Sequence, residues 1–277
     1  MLSTRIITAV VLVAAVLGAL FLLPPQWWAI VSFLFVLVAA YEWTAIEKFP
    51  AIGAAVFVIG MGAFALALVN VPGFDYAAGW PAPLVVIICG IATLFWLVVV
   101  PPWLHFRWPM RSKPIAALVG WMLLVPAWIA LVQLRAQSPG RLLAFMAIVW
   151  IADTAAYFTG RAIGKRKLAP QISPGKTWEG VAGGAAGVLV YALVLALATP
   201  RVVGVAGTGA IAAWALFATA VALLSVAGDL FESLQKREAG MKDSGSILPG
   251  HGGVLDRIDA LLAALPPLAV ASVVLLR

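Results

Sequence analysis

Charge is what this sequence has least of. Asp, Glu, Lys and Arg make up 10% of its 277 residues, against roughly 25% in an ordinary soluble domain, while 64% are hydrophobic. That balance excludes a water-soluble globular fold. Cysteine is nearly absent too: Cys89 alone excludes an intrachain disulfide and a cysteine-built metal cage, and leaves little basis for redox chemistry. Acidic residues are scarce in the first half, which holds only Glu42, Glu47 and Asp75. The other eight are Asp153, Glu179, Asp229, Glu232, Glu238, Asp243, Asp256 and Asp259. There is no repeat of fixed period, no low-complexity tail and no appended soluble domain.

What is abundant is apolar runs long enough to span a bilayer, which takes about 20 residues of helix. Nine are predicted, at approximately 5–23, 27–46, 51–70, 82–101, 114–134, 141–160, 178–198, 208–230 and 257–276. The expected fold class is therefore all-α, a polytopic integral membrane protein with about nine transmembrane helices. The first run lacks an A-x-A-like cleavage site before Pro24 and reads as a retained span. Residues 1–135 read as scaffold helices and 136–277 as the C-terminal region whose loops hold the candidate chemistry. Trp27, Trp28, Trp43, Trp80, Trp103 and Trp108 fall mostly near predicted span ends, where an indole suits the headgroup level. In the seventh run Gly180 with Gly184, and Gly183 with Gly187, form a small-residue face suited to close helix packing.

The basic residues are lopsided. The N-terminus and the loops after the second, fourth, sixth and eighth spans hold fourteen of the eighteen; the other side has Arg135, Arg141, Arg201 and Arg277. The positive-inside rule then places the N-terminus and the even loops in the cytoplasm and the C-terminus outside. The net charge of +7 is mostly topology, and nucleic acid is a poor candidate partner.

Two constellations could carry chemistry. In Ile151 to Gly180, Asp153 stands inside an apolar span, where a carboxylate costs at least about 2.5 kcal/mol unless it is paired or faces water. It is expected to face a cavity. Beyond it lie Ser173, Gly175, Lys176 and Thr177. GKT suggests a phosphate loop, but Pro170 stands where that motif needs glycine and no strand precedes it. Phosphate contacts from these hydroxyls, amides and lysines remain one reading; a topology signal or lipid-headgroup contact is the other.

The second constellation runs from Gly228 to Asp259. Asp229, Glu232 and Lys236 share one helix face, and Asp256 and Asp259 open the last span. Two helix ends bearing carboxylates suit a hard divalent cation that also meets substrate phosphates. Between them LPGHGG can turn backbone amides toward a ligand, with His251 a proton carrier, a phosphate donor or a turn residue. His105 reads as interfacial. Together these features point to a phosphorylated substrate and a divalent metal at the membrane's cytoplasmic face.

The run SLQKREAGMKDSGSILPGHGGVLDRID closely resembles the signature of the phosphatidate cytidylyltransferase (CDP-diacylglycerol synthase) family. Its fixed positions are filled by Ser233, Lys236, Arg237, Lys242, Asp243, Pro249, His251, Gly252, Gly253, Asp256, Arg257 and Asp259. ADTAAYFTGR, ISPGKTWEG and the RIITA start at Arg5 are similar to the family as well. The resemblance implies a multi-pass enzyme of the inner (cytoplasmic) membrane, with its active site facing the cytoplasm, that joins CTP to phosphatidic acid and releases pyrophosphate. It implies Mg2+ on Asp229 and Asp256, supported by Asp153, Asp243 and Asp259. It implies phosphate contacts from Lys176, Lys236, Arg237, Lys242 and Arg257, with Ser173, Thr177, Ser233 and His251 as further hydrogen-bonding groups. A membrane lipid environment and a homodimer are also implied, although no residue here specifies an interface.

Three rival classes fit the sequence less well. A transporter would spread polar residues toward the midplane in two related halves. A phosphatidyltransferase would carry a DG-x2-AR motif, which is missing, and a structural scaffold would leave eight clustered acids without a purpose.

Overall fold

The computed structural model describes residues 2–275 other than 249 and 251, with side chains from residue 10 onward. Pro249 and His251 of the signature thus lie outside the described residues, as do Arg277 and the side chain of Arg5. The chain is almost wholly helical. Among the described residues eight helices are long and apolar enough to cross a membrane: α2 (Pro25–Ile46), α3 (Ala51–Val69), the continuous Ala82–Phe106, α6 (Lys113–Gln137), α7 (Pro139–Ile163), α8 (Trp178–Ala198), α10 (Thr208–Ala239) and α11 (Leu255–Val274). The first expected span, 5–23, falls on α1 (Leu2–Leu22), whose described apolar part, Val10–Leu22, is shorter than the other eight. Ala82–Phe106 comprises α4 (Ala82–Leu94), a π turn over Phe95–Val99 and α5 (Val100–Phe106); a short α9 (Pro200–Val203) precedes α10.

Proline near the first turn opens α2, α4, α6 and α7, where its fixed φ suits the helix and its missing N–H leaves no bond unmade. Gly240, at φ 76°, ends α10 in the left-handed conformation. In hydrocarbon every backbone polar group must be satisfied within the protein, which is why the crossings are helices. Ile52, Val56 and Ile59 on α3 and Val190, Val194 and Leu197 on α8 are exposed. Such apolar area would drive aggregation in water and suits lipid contact.

α6 and α11 form the centre. α11 packs on α4, α6 and α10, while α7, α8 and α10 make a second packed group joined to the centre through α10 and α7. At four of the six tryptophans the expectation of headgroup anchoring is corrected. Trp28, Trp43, Trp80 and Trp103 are buried, and their indoles donate to backbone oxygens of Leu131, Ala116, Leu68 and Trp108. A buried indole usually finds such a partner. Only Trp27 and Trp108 of the six are exposed.

The expected helix-only architecture needs one addition. The loop before α8 is a two-stranded antiparallel hairpin, β1 (Lys167–Ala169) and β2 (Ser173–Thr177), so Ser173 and Lys176 lie on a strand rather than at a helix start. Thr177 caps α8, its hydroxyl accepting from Gly180 N at 3.1 Å.

Candidate functional site at one end of the bundle

The chemistry-bearing residues gather where α10 ends, α11 begins and the hairpin folds back. At Gly228 an added Cβ would lie 2.6 Å from the backbone oxygen of Asp259, so the two helices touch there. That contact sets Asp229 beside Asp259, and the two carboxylates interact electrostatically. Lys176, reaching from β2, forms an ion pair with Asp229 at 2.7 Å. Ser233 donates to the other oxygen of Asp229 at 3.3 Å.

One turn further along α10, Lys236 lies between two carboxylates, 2.7 Å from Glu232 and 2.5 Å from Asp256. The second Asp256 oxygen accepts from Ser244 N at 2.8 Å and Gly253 N at 2.9 Å. Asp256 thus braces the glycine-rich loop that its own helix follows. Gly252, at φ 80°, could not carry a side chain there: its Cβ would fall 2.5 Å from Asp256.

Two cavities flank this network. One, of about 430 Å³, lies between α7, α8, α10 and the hairpin and is lined by Asp153, Ser173, Lys176, Thr177 and Asp229. Apolar groups such as Ala156, Val181, Leu223 and Val226 complete its wall. The other, of about 510 Å³, is polar, lined by Lys242, Asp243, Arg257 and the glycine loop. Lys236 and Asp256 line neither cavity. Arg237 goes elsewhere, its guanidinium donating to Met241 O at 3.1 Å across the end of α10.

Three contributors were not singled out from the sequence. Tyr157 and Arg161 line the first cavity, paired at 3.3 Å. Glu42, on α2, accepts hydrogen bonds from Ser244 Oγ, Val254 N and Leu255 N. Glu42 carried a usable signal, since a carboxylate in an apolar run is as costly as Asp153 and asks for the same explanation. Tyr157 and Arg161 lie within the ADTAAYFTGR stretch, but their residue types are ordinary at a span end and gave them no role of their own.

Among the described residues no three His, Cys, Asp or Glu side chains converge into a metal cage made by protein alone. Asp229 and Asp256, the two expected to hold Mg2+, are paired with Lys176 and Lys236. The donor chemistry nonetheless suits a hard cation: all the candidates are carboxylates, and Glu232 Oε1 is buried without a hydrogen-bond partner. Mg2+ commonly takes only one or two carboxylates and completes its shell with waters and substrate phosphates.

A polytopic helical bundle with paired carboxylates, lysines and a glycine loop at one end defines a membrane enzyme class acting on phosphates. The profile of the cytidylyltransferase family matches residues 3–275, and the chain belongs to that family. It is 41% identical to the phosphatidate cytidylyltransferase of Pseudomonas aeruginosa over 286 residues, covering 97% of this chain and 96% of that one. It is 36% identical to the enzyme of the same name from Haemophilus influenzae over 285 residues, 96% of each chain. A phosphatidate cytidylyltransferase of Brucella suis is 50% identical over 120 residues, 43% of this chain.

Proposed function

We infer that this chain transfers the cytidylyl group of CTP to phosphatidic acid, forming CDP-diacylglycerol and pyrophosphate in phospholipid biosynthesis. Membership of the cytidylyltransferase family along nearly the whole chain carries the reading. The site fits it: one cavity has a partly apolar wall suited to a lipid phosphate, and the other has two cations and a glycine loop suited to a triphosphate.

In the reaction a phosphate oxygen of the lipid forms a bond to the α-phosphorus of CTP as the bond to the β-phosphate bridging oxygen breaks, and pyrophosphate takes up the electron pair. That nucleophile is already anionic at neutral pH, so positioning and charge stabilisation dominate and no strong general base is needed. Lys176 meets the lipid phosphate in the first cavity. Lys242 and Arg257 meet the nucleotide phosphates in the second, and Lys236 holds Asp256 in register between them. Asp229 and Asp256 would hold Mg2+, with Asp153, Asp243 and Asp259 adding negative charge nearby. When bound, that ion neutralises phosphate oxygens as charge shifts to the leaving group. A phosphate on Lys176 and a cation on Asp229 would each replace the partner that these two residues now find in one another. Ser173, Thr177 and Ser233 supply further hydrogen bonds.

The test uses purified protein, phosphatidic acid, Mg2+ and CTP labelled at the α-phosphate, with the lipid fraction assayed for label. Transfer that needs both metal and intact Asp256, and that fails with EDTA or Asp256→Asn, supports the reading. No label in lipid from folded wild type overturns it.

A further inference from the structure

We propose that Glu42, on the second helix of the half read as scaffold, is a positioning residue for the catalytic loop, acting through Ser244 and the first amides of α11. Glu42 is 2% exposed. One oxygen accepts from Val254 N at 2.9 Å, and the other from Leu255 N at 2.7 Å and Ser244 Oγ at 2.9 Å. All three donors lie more than 200 residues away in sequence.

The loop is folded around this group rather than resting on it. A Cβ at Gly245 would lie 2.7 Å from Glu42, and one at Gly253 would lie 2.5 Å from it. Ser244 passes the contact on, its hydroxyl accepting from Asp256 N at 3.3 Å while its own amide donates to the Asp256 carboxylate at 2.8 Å. The far side is equally fixed. The adjacent Trp43 donates to Ala116 O on α6 at 2.9 Å, and Gly120 leaves room for its indole. Asp256 is thereby referenced to the α2–α6 pair.

The chemistry requires an acceptor-only group. Three donors converge on one buried side chain, a carboxylate accepts them all, and its charge is favourable at the amino end of α11. An amide in its place must point one N–H at another donor.

The proposal rests on the cytidylyl-transfer reading for its activity arm and on geometry alone for its exchange arm. Glu42→Gln is expected to stay folded and to lower kcat about 100-fold with little change in KM for CTP, since a displacement of about 1 Å at a reacting centre has that effect. Amide hydrogen exchange at Val254 and Leu255 is expected to quicken at least ~10-fold while α3 and α8 stay as in wild type. Because both residues act along one path, Glu42→Gln combined with Ser244→Ala is expected to be no worse than Glu42→Gln alone. Unchanged exchange at Val254 and Leu255, turnover per folded molecule within about twofold of wild type, or additive losses would overturn the proposal. If Glu42→Gln does not fold, Ser244→Ala alone decides it by the same exchange and turnover readings. A wild type inactive on CTP would refute the transfer reading while leaving the exchange result to judge the positioning.

Discussion

Lys176 and Asp229 compensate one another at 2.7 Å, with side chains 22% and 29% exposed. A pair that wet contributes no more than about 1 kcal/mol to stability, so its place at the cavity is better explained by chemistry. Asp229→Asn is accordingly expected to cut kcat/KM by about 100-fold or more while moving the melting temperature little. Lys176→Met is expected to raise KM for phosphatidic acid more than it lowers kcat. Loss of stability in proportion to loss of activity would contradict this. Glu47 presents the opposite balance. Burial pushes its carboxyl up from 4.5 to about 7, with Lys113 pulling it back and Glu238 adding to the rise. The fold therefore favours the protonated form, and its contribution is present below the ordinary value and lost as pH rises through about 7. Glu47→Gln is expected to leave thermal stability unchanged at low pH and to raise it above neutrality, by up to ~1.4 kcal/mol for each pH unit of displacement. Melting curves in detergent across that range would show a flattened profile; parallel curves would refute it.

At the scale of elements, α7 and α8 meet along a seam that glycine makes possible. A Cβ would lie 2.8 Å from Ala152 O at Gly184 and 2.9 Å from Ala156 O at Gly180, both fixed backbone atoms. Gly184→Leu must push the helices apart, moving Asp153 on α7 relative to Lys176 and Asp229. It is expected to lower stability by about 1–3 kcal/mol and activity with it, read by melting temperature and label transfer. A variant that melts and turns over as wild type would show that the seam yields freely. This seam was legible because four-residue glycine spacing is local in sequence, and the spans were legible because lipid imposes length and hydropathy on each helix separately. The hairpin was not legible. Its strands are three and five residues long, carry Pro174 and Gly175, and show no alternation, so only pairing with each other identifies them. The buried tryptophans escaped for a related reason. Position near a span end is visible in sequence, whereas the neighbouring helix that covers an indole is not.

Across the whole molecule, the two ends differ in kind. Arg107 bonds to Gln171, Lys113 to the backbone of Glu47, Met110 N to Glu238, and Lys176 to Asp229, so the even-numbered loops and the α11 entry meet at one end. Arg135 bonds to Leu23 O and Arg141 to Val202 O at the other. The charge bias made this partition legible, since each loop's basic content can be counted without knowing its neighbours. The division into scaffold and catalytic halves is less clean in space, because Glu42 of the first half holds the loop of the second. We propose an orientation from the same bias: the basic end, with both cavities, faces the cytoplasm. Cys89 is fully buried, so the native chain offers no exposed thiol to confuse a labelling experiment. Lys165 and Arg201 are exposed at opposite ends. In intact spheroplasts an impermeant maleimide is expected to modify Arg201→Cys at once and Lys165→Cys only after the membrane is permeabilised. The reverse pattern would place the end that holds both cavities outside, and would overturn the orientation while leaving the fold untouched.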